Sequence, residues 1–177
     1  MKKIIFIAFV LFTLTASAQK MYQTRTGKIK FYSSTPVENI EAINTQVNSR
    51  ITDNGQVAFI LLIRGFVFKN ALMQEHFNEN YMDSEKYPKA GFTGMITDLK
   101  TIDFTKDGIY KTTVKGDLEI HGVKKNITAP ATIEISGGKL SAKSVFKVTI
   151  TDFGIKGNYI GEKIAKEIEL TVDCKYE

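Results

Sequence analysis

YKTTVKGDLEIHG, residues 110–122, alternates without a break. Tyr110, Thr112, Val114, Gly116, Leu118, Ile120 and Gly122 take one face; Lys111, Thr113, Lys115, Asp117, Glu119 and His121 take the other. Successive side chains of a strand point to opposite sides of its sheet. A period of two with one polar face therefore predicts an antiparallel strand with one side in water.

The same pattern extends outward in both directions. Downstream, Ile127, Ala129, Ala131, Ile133 and Ile135 alternate with Asn126, Thr128, Thr132 and Glu134. Ser136-Gly137-Gly138 turns the chain, and Leu140, Ala142, Phe146, Val148 and Ile150 continue on one parity. A looser, Gly-rich connection over residues 152–163 leads to a last strand with Ile168, Leu170, Val172, Cys174 and Tyr176 on one side. Upstream, Lys106-Asp107-Gly108 marks a hairpin turn, preceded by a strand with Phe92, Gly94 and Ile96 inward over residues 90–104. QVAFILLIRGFVF, residues 56–68, is apolar on both parities and predicts a strand covered on both faces. Asp53-Asn54-Gly55 precedes it as a turn. Before that come a strand over residues 37–51 with Ile43, Val47 and Ile51 inward, its pattern weakened by Ala42, Asn44 and Asn48, and a first strand, GKIKFYS, from Gly27 to Ser33 with Ile29 and Phe31 inward.

About eight long antiparallel strands joined mostly by hairpins are most simply accommodated in a closed barrel, which leaves no exposed edge. The expected fold is thus all-β, an eight-stranded antiparallel barrel. A barrel of that size is either filled by its own side chains or holds one small ligand. Gly94, Gly116, Gly122, Ala129, Ala131 and Ala142 on inward parities either leave space or receive Phe and Leu side chains from across the barrel.

One stretch interrupts the β pattern. In FVFKNALMQEHFNENYMDSEKYP, residues 66–88, alternation stops near Phe68 and helical spacing follows, with Leu72, Met73, His76, Phe77 and Asn80 along one stripe. The spacing predicts one short helix over residues 70–80, inserted after the third strand, with Asn70 as its N-cap. Leu72, Met73 and Phe77 would face inward as a plug or lid on one end of the barrel.

The chain has 177 residues and a net charge of +5, enough for one domain. Lys2 and Lys3, an apolar run from Ile4 to Leu14 and an Ala-x-Ala ending at Ala18 form the pattern of a secretory signal peptide over residues 1–18. The run is too short to span a bilayer, which takes roughly 20 residues, and no later stretch is long and apolar enough. The expected domain is then residues 19–177, with net charge +3 once Lys2 and Lys3 are removed from +5, located in the periplasm or secreted. The residual charge is spread along the chain with no arginine cluster, which argues against nucleic-acid binding. Cys174 is the only cysteine, so no internal disulfide is available.

Two blocks, HFNxxYxDSxKYP at residues 76–88 and GDLxIHGV at residues 116–123, together with GFTG at 91–94 and KVTITDFGI at 147–155, resemble the YceI-like family of exported proteins, described as lipid- or polyisoprenoid-binding. The resemblance spans about residues 22–176. It implies a lipocalin-like barrel holding a long isoprenoid chain. This sequence departs from the family pattern at its first strand, GKIKFYSSTP, where members often carry an aromatic-Asp-x-x-His strand; no histidine precedes His76.

The expected ligand-binding residues are Phe66, Phe68, Leu72, Met73, Phe77, Tyr81, Phe92, Phe146 and Val148, with Phe153 a weaker candidate, because apolar walls with adaptable methionines suit a long apolar molecule. No cofactor is expected; the candidate bound molecule is an isoprenoid quinone or another lipid. Two copies could pair as a homodimer, and nothing in the sequence decides it. His76, with Glu75 and Glu79 on the same segment, lacks the three or four close partners a zinc site requires and is read as a structural histidine bonded to backbone or a carboxylate. Catalytic motifs such as G-x-S-x-G or a P-loop are absent, and no titratable pair falls on the inner parities, so enzyme activity has no positive support. Asn126-Ile127-Thr128 matches a glycosylation acceptor but lies inside a strand pattern. The competing function is a packed-core barrel acting as a structural or protein-interaction module.

Overall fold

The computed structural model describes residues 19–177; the expected signal peptide lies outside them. Nine strands run β1 (Met21–Ser34), β2 (Asn39–Thr52), β3 (Gln56–Leu62), β4 (Val67–Phe68), β5 (Lys89–Ile96), β6 (Gly108–Ile120), β7 (Val123–Ser136), β8 (Lys139–Thr149) and β9 (Glu167–Lys175). Eight of them pair antiparallel around a closed ring, β1-β2-β3-β5-β6-β7-β8-β9 and back to β1; the two-residue β4 adds only to β2. The alternation of residues 110–122 is a strand, β6, that pairs with β7 in unbroken register from Gly108–Ile135 to Ile120–Val123.

β1 and β2 are longer and less regular than expected. The ladder between them slips twice, between Thr24 and Gly27 and again between Gly27 and Ile29. The two bulges compensate. On β1 the buried set passes from Tyr22 and Thr24 to Gly27 and Ile29; on β2 it passes from Ala42 and Asn44 to Val47, Ser49 and Ile51. A bulge adds one residue and reverses which parity faces in. That reversal turns Ile43 outward, against the expectation, and buries Asn44 completely. The Asn44 side chain holds the bulge: its Nδ2 donates to the Leu62 carbonyl at 2.9 Å and its Oδ1 accepts from the Gln46 amide at 2.8 Å. A Cβ on Gly65 would sit 2.6 Å from that Nδ2, so only glycine fits there.

The run of residues 56–68 is not one doubly covered strand. β3 ends at Leu62, a 3-10 turn occupies Ile63–Gly65, and β4 follows. Leu61 before the turn and Ile63 at its start are buried, as are Phe66 and Phe68 after it, so the turn changes the inward parity from odd to even. Both parities read as apolar for that reason, and Ile60, Leu62 and Val67 are exposed on the outside.

The expected strand over residues 90–104 stops at Ile96. The chain then crosses beneath the barrel through a 3-10 turn, Leu99–Thr101, and brings Ile102 and Phe104 under one end. Between β7 and β8 the ladder covers only Thr132–Ser136 against Lys139–Lys143. Pro130 has no N–H with which to continue it, and its carbonyl accepts from the Ser144 hydroxyl instead. Beyond that point the two strands separate, and a 3-10 turn, Ile150–Phe153, packs into the interior beside them.

The interior divides into two clusters along the barrel axis. One, at the end closed by short turns, gathers Ile51, Ile96, Ile133, Ile135, Leu140 and Cys174 between Tyr22 and Tyr176. The other, at the end carrying the long connections 63–88 and 150–166, gathers Phe66, Phe68, Met82, Leu118, Val148 and Ile168.

Candidate functional site

The inserted segment forms as its sequence suggests, with one difference. Asn70 Oδ1 accepts from the amides of Leu72 at 2.9 Å and Met73 at 3.3 Å, and so caps the helix α1 (Ala71–His76). The last turn widens into a π turn, Phe77–Tyr81. Three contacts dock the segment on the barrel: the Ile63 amide donates to the Pro88 carbonyl at 2.9 Å, the Arg64 guanidinium donates to the buried Ser84 hydroxyl at 3.2 Å and pairs with Glu85, and the Gln74 Oε1 accepts from the Phe68 amide at 3.2 Å.

Beneath this lid four phenylalanines from three elements meet. Phe77 stacks on Phe31 of β1 with ring centres 5.6 Å apart, and contacts Phe68 at 5.0 Å and Phe66 at 5.7 Å; Phe31 meets Phe66 and Phe68 edge-on. Offset and edge-on aromatic pairs each add about 0.5–1.5 kcal/mol beyond area burial. Tyr81 extends the lid to the opposite side, its ring lying against Gly157 of the β8–β9 connection, where a side chain would collide with it. Burial, and next the Tyr159 phenol, push the Tyr81 hydroxyl above its ordinary value.

The lid and the open half of the barrel enclose a cavity of about 410 Å³, within the range of small-molecule sites. Ile29 and Phe31, Phe59 and Leu61, and Leu118 and Ile120 supply its wall from β1, β3 and β6; Phe146 and Val148 from β8 and Ile168, Leu170 and Val172 from β9 complete it. Glu38, Asn70, His76, Tyr81, Tyr159 and Lys163 bring polar atoms to it from connecting segments. The lining is otherwise almost wholly apolar.

Of the expected site residues, Phe66, Phe68, Leu72, Met73, Phe77, Tyr81, Phe146 and Val148 all line this cavity, as does Phe153. Leu72 does so from the mouth, 57% exposed, rather than from the interior. Phe92 does not line it. Its ring leans over Gly94 and Gly116, which face each other across β5 and β6; a Cβ on either glycine would lie 2.6 or 2.9 Å from Phe92 Cζ. Those two glycines are therefore filled by Phe92 and leave no space of their own. Phe59 stacks on the same ring at 5.7 Å.

The His76 side chain is exposed at the cavity mouth and makes no hydrogen bond among the described residues, which corrects its reading as a bonded structural histidine. Its neighbours on the helix, Glu75 and Glu79, point to a separate outer cleft with Arg64 and Lys69. His121 sits in the β6–β7 turn at positive φ, against Tyr87 and 3.3 Å from the Phe153 carbonyl. Among the described residues no three His, Cys, Asp or Glu groups converge as metal ligands, and no helix is long and apolar enough to cross a membrane.

The wall residues that strand parity alone could have indicated were Ile29, Phe31, Leu118, Ile120, Ile168, Leu170 and Val172. The polar mouth could not be read from parity, because it comes from connections.

The model of the YceI-like domain matches residues 11–176. None of the curated proteins compared matches the chain. Among solved structures, a polyisoprenoid-binding domain from Saccharophagus degradans superposes with a TM-score of 0.74 at 11% identity, over 89% of this chain and 97% of that one. BcnA from Burkholderia cenocepacia gives 0.62 at 16% identity, over 83% and 94%. The YCEI protein of Campylobacter jejuni gives 0.58 at 18% identity, over 100% and 99%. At these identities the superpositions establish a shared fold.

Proposed function

The chain belongs to the YceI-like domain family, and on that premise we propose that it is an exported lipid-binding protein that holds a long apolar molecule, isoprenoid- or quinone-like, in its barrel for transport, storage or sequestration. The observation that carries this reading is the 410 Å³ cavity with an almost wholly apolar lining beneath the lid. Water in such a space has few partners, and each methylene that replaces it contributes about 0.8 kcal/mol by leaving bulk water. The polar groups at the mouth give the head of an amphiphile a place to stay hydrated or hydrogen-bonded. The polyisoprenoid-binding description of the Saccharophagus degradans relative is consistent with a ligand of this class. Export rests on the signal-peptide pattern of residues 1–18 and agrees with a chain whose single cysteine is buried.

Protein purified from the medium or periplasm of its own host, extracted with organic solvent and examined by mass spectrometry, is expected to release a lipid in near-stoichiometric amount. Recovery of no lipid, together with no binding of short-tailed quinones or fatty acids by the delipidated protein, would overturn the reading in favour of a structural or interaction module.

A further inference from the structure

The cavity does not run the length of the barrel. Its deepest wall residues are Ile29, Phe59, Leu118 and Val172. At the next level down, the inward positions of β5 and β6 are Gly94 and Gly116, directly paired. Two glycines opposite one another would ordinarily leave a hole through which the open half communicates with the closed half. Here the Phe92 ring bends into that hole, 4% exposed and braced by Phe59. An aromatic ring laid over a cross-strand glycine is a recognised way of making a sheet position solid.

We propose that Phe92, paired across the sheet with the deepest wall residues Phe59 and Leu118, backs the floor of the cavity from beneath and, by filling the hole over Gly94 and Gly116, sets the length of ligand tail the protein can bury. This rests on the binding reading above and narrows the ligand class to single-tailed amphiphiles whose inserted segment is bounded. From Ile168 to Val172 the cavity spans five residues of β9, four steps or about 13 Å of strand. A tail longer than that leaves its remainder at the mouth, where extra methylenes stay in water. Only the glycine pair permits this arrangement, because any side chain at Gly94 or Gly116 would displace the ring. Phe92 therefore acts through the shape of the site, from a position with no surface on it.

The test is a binding series of straight-chain fatty acids from eight to twenty-two carbons against delipidated protein, read by calorimetry. In the wild type, affinity rises about fourfold per methylene, then stops rising at an intermediate length. In Phe92→Ala the break moves to longer acids, and the acid two carbons past the wild-type break gains roughly tenfold. Phe92→Leu, a milder change that keeps the site filled in part, shifts the break by less. Ile96→Val, below the floor, leaves it in place. Affinity that keeps rising through the longest acid in the wild type, or a break that does not move in either Phe92 variant, overturns the floor while leaving the binding function intact. Absence of binding at every length overturns the binding reading itself and the floor with it.

Discussion

At the closed end of the barrel Ile133, Leu140 and Cys174 are 1–2% exposed and fill the space between β1, β6, β7, β8 and β9; at the open end the larger Phe77, Tyr81 and Phe146 remain only partly buried around a void. Both ends are made by the same strands with the same alternation. They differ in what connects them. Short turns at Asp53–Gly55 and Gly137-Gly138, with Leu99, Ile102 and Phe104 tucked beneath, draw the closed end tight. The segments 63–88 and 150–166 bridge the open end from outside and hold it apart. Strand pattern decides which side chains point in; the length of the connections decides whether those side chains meet.

That contrast can be broken or sharpened by three measurements. The largest effect is expected at the closed end. Leu140→Ala removes a fully buried side chain with no adjoining space to relax into, and should cost about 3–5 kcal/mol in chemical denaturation. Phe77→Ala removes a larger side chain and its contacts with Phe31, Phe66 and Phe68. Because the ring already borders a cavity, the expected loss is about 2 kcal/mol, below the usual range for a buried phenylalanine, with a clear loss of ligand affinity. A larger destabilisation from Phe77→Ala than from Leu140→Ala would reverse the assignment of the two ends.

The smallest effect concerns the tyrosine that seals the closed end. Tyr176 and Ser49 share a hydrogen bond at 2.8 Å inside the core. Burial pushes the Tyr176 hydroxyl far above its ordinary value and raises the Cys174 thiol as well. The folded core holds both groups neutral, so the unfolded chain ionises first. Stability is then complete below about pH 9 and falls as pH rises past the ordinary thiol and phenol values of 9.0 and 10.0. Tyr176→Phe should cost about 1 kcal/mol at neutral pH, since Ser49 still donates to the Ala58 carbonyl at 3.1 Å, and should flatten the decline above pH 10 measured by thermal denaturation. An unchanged alkaline decline in Tyr176→Phe would assign the effect to other groups.

Much of this architecture is legible in the chain itself. The ring of eight strands and the helix with its Asn70 cap follow from periodicity and turn chemistry, and eight of the nine residues expected to bind ligand line the cavity. What escaped was every change of phase. The bulges near Arg25-Thr26 and Thr45-Gln46 swap inner and outer faces within each strand, which hid the first residues of β1, from Met21 on, and misplaced Ile43. Asn44, polar in an apolar strand, looked like noise and is the group that fixes the bulge. Phe92 lies off the cavity lining for another reason: parity says that a side chain points inward but not which way along the barrel it leans, and its direction is set by two glycines on neighbouring positions. Glu38, Tyr159 and Lys163 at the mouth come from connections that carry no periodicity at all.

The parting of β7 and β8 above Pro130 has a consequence for solubility. A barrel ordinarily has no free strand edge, but here β7 before Thr132 and β8 after Lys143 share no ladder, and unpaired edges recruit strands from other chains. The sequence guards them. Lys124 and Lys125 on β7 and Lys147 on β8 stand exposed on the strands that border the gap, so an incoming strand would have to bring its backbone up beside lysine side chains. The seam can open the wall of the barrel without offering a template for aggregation.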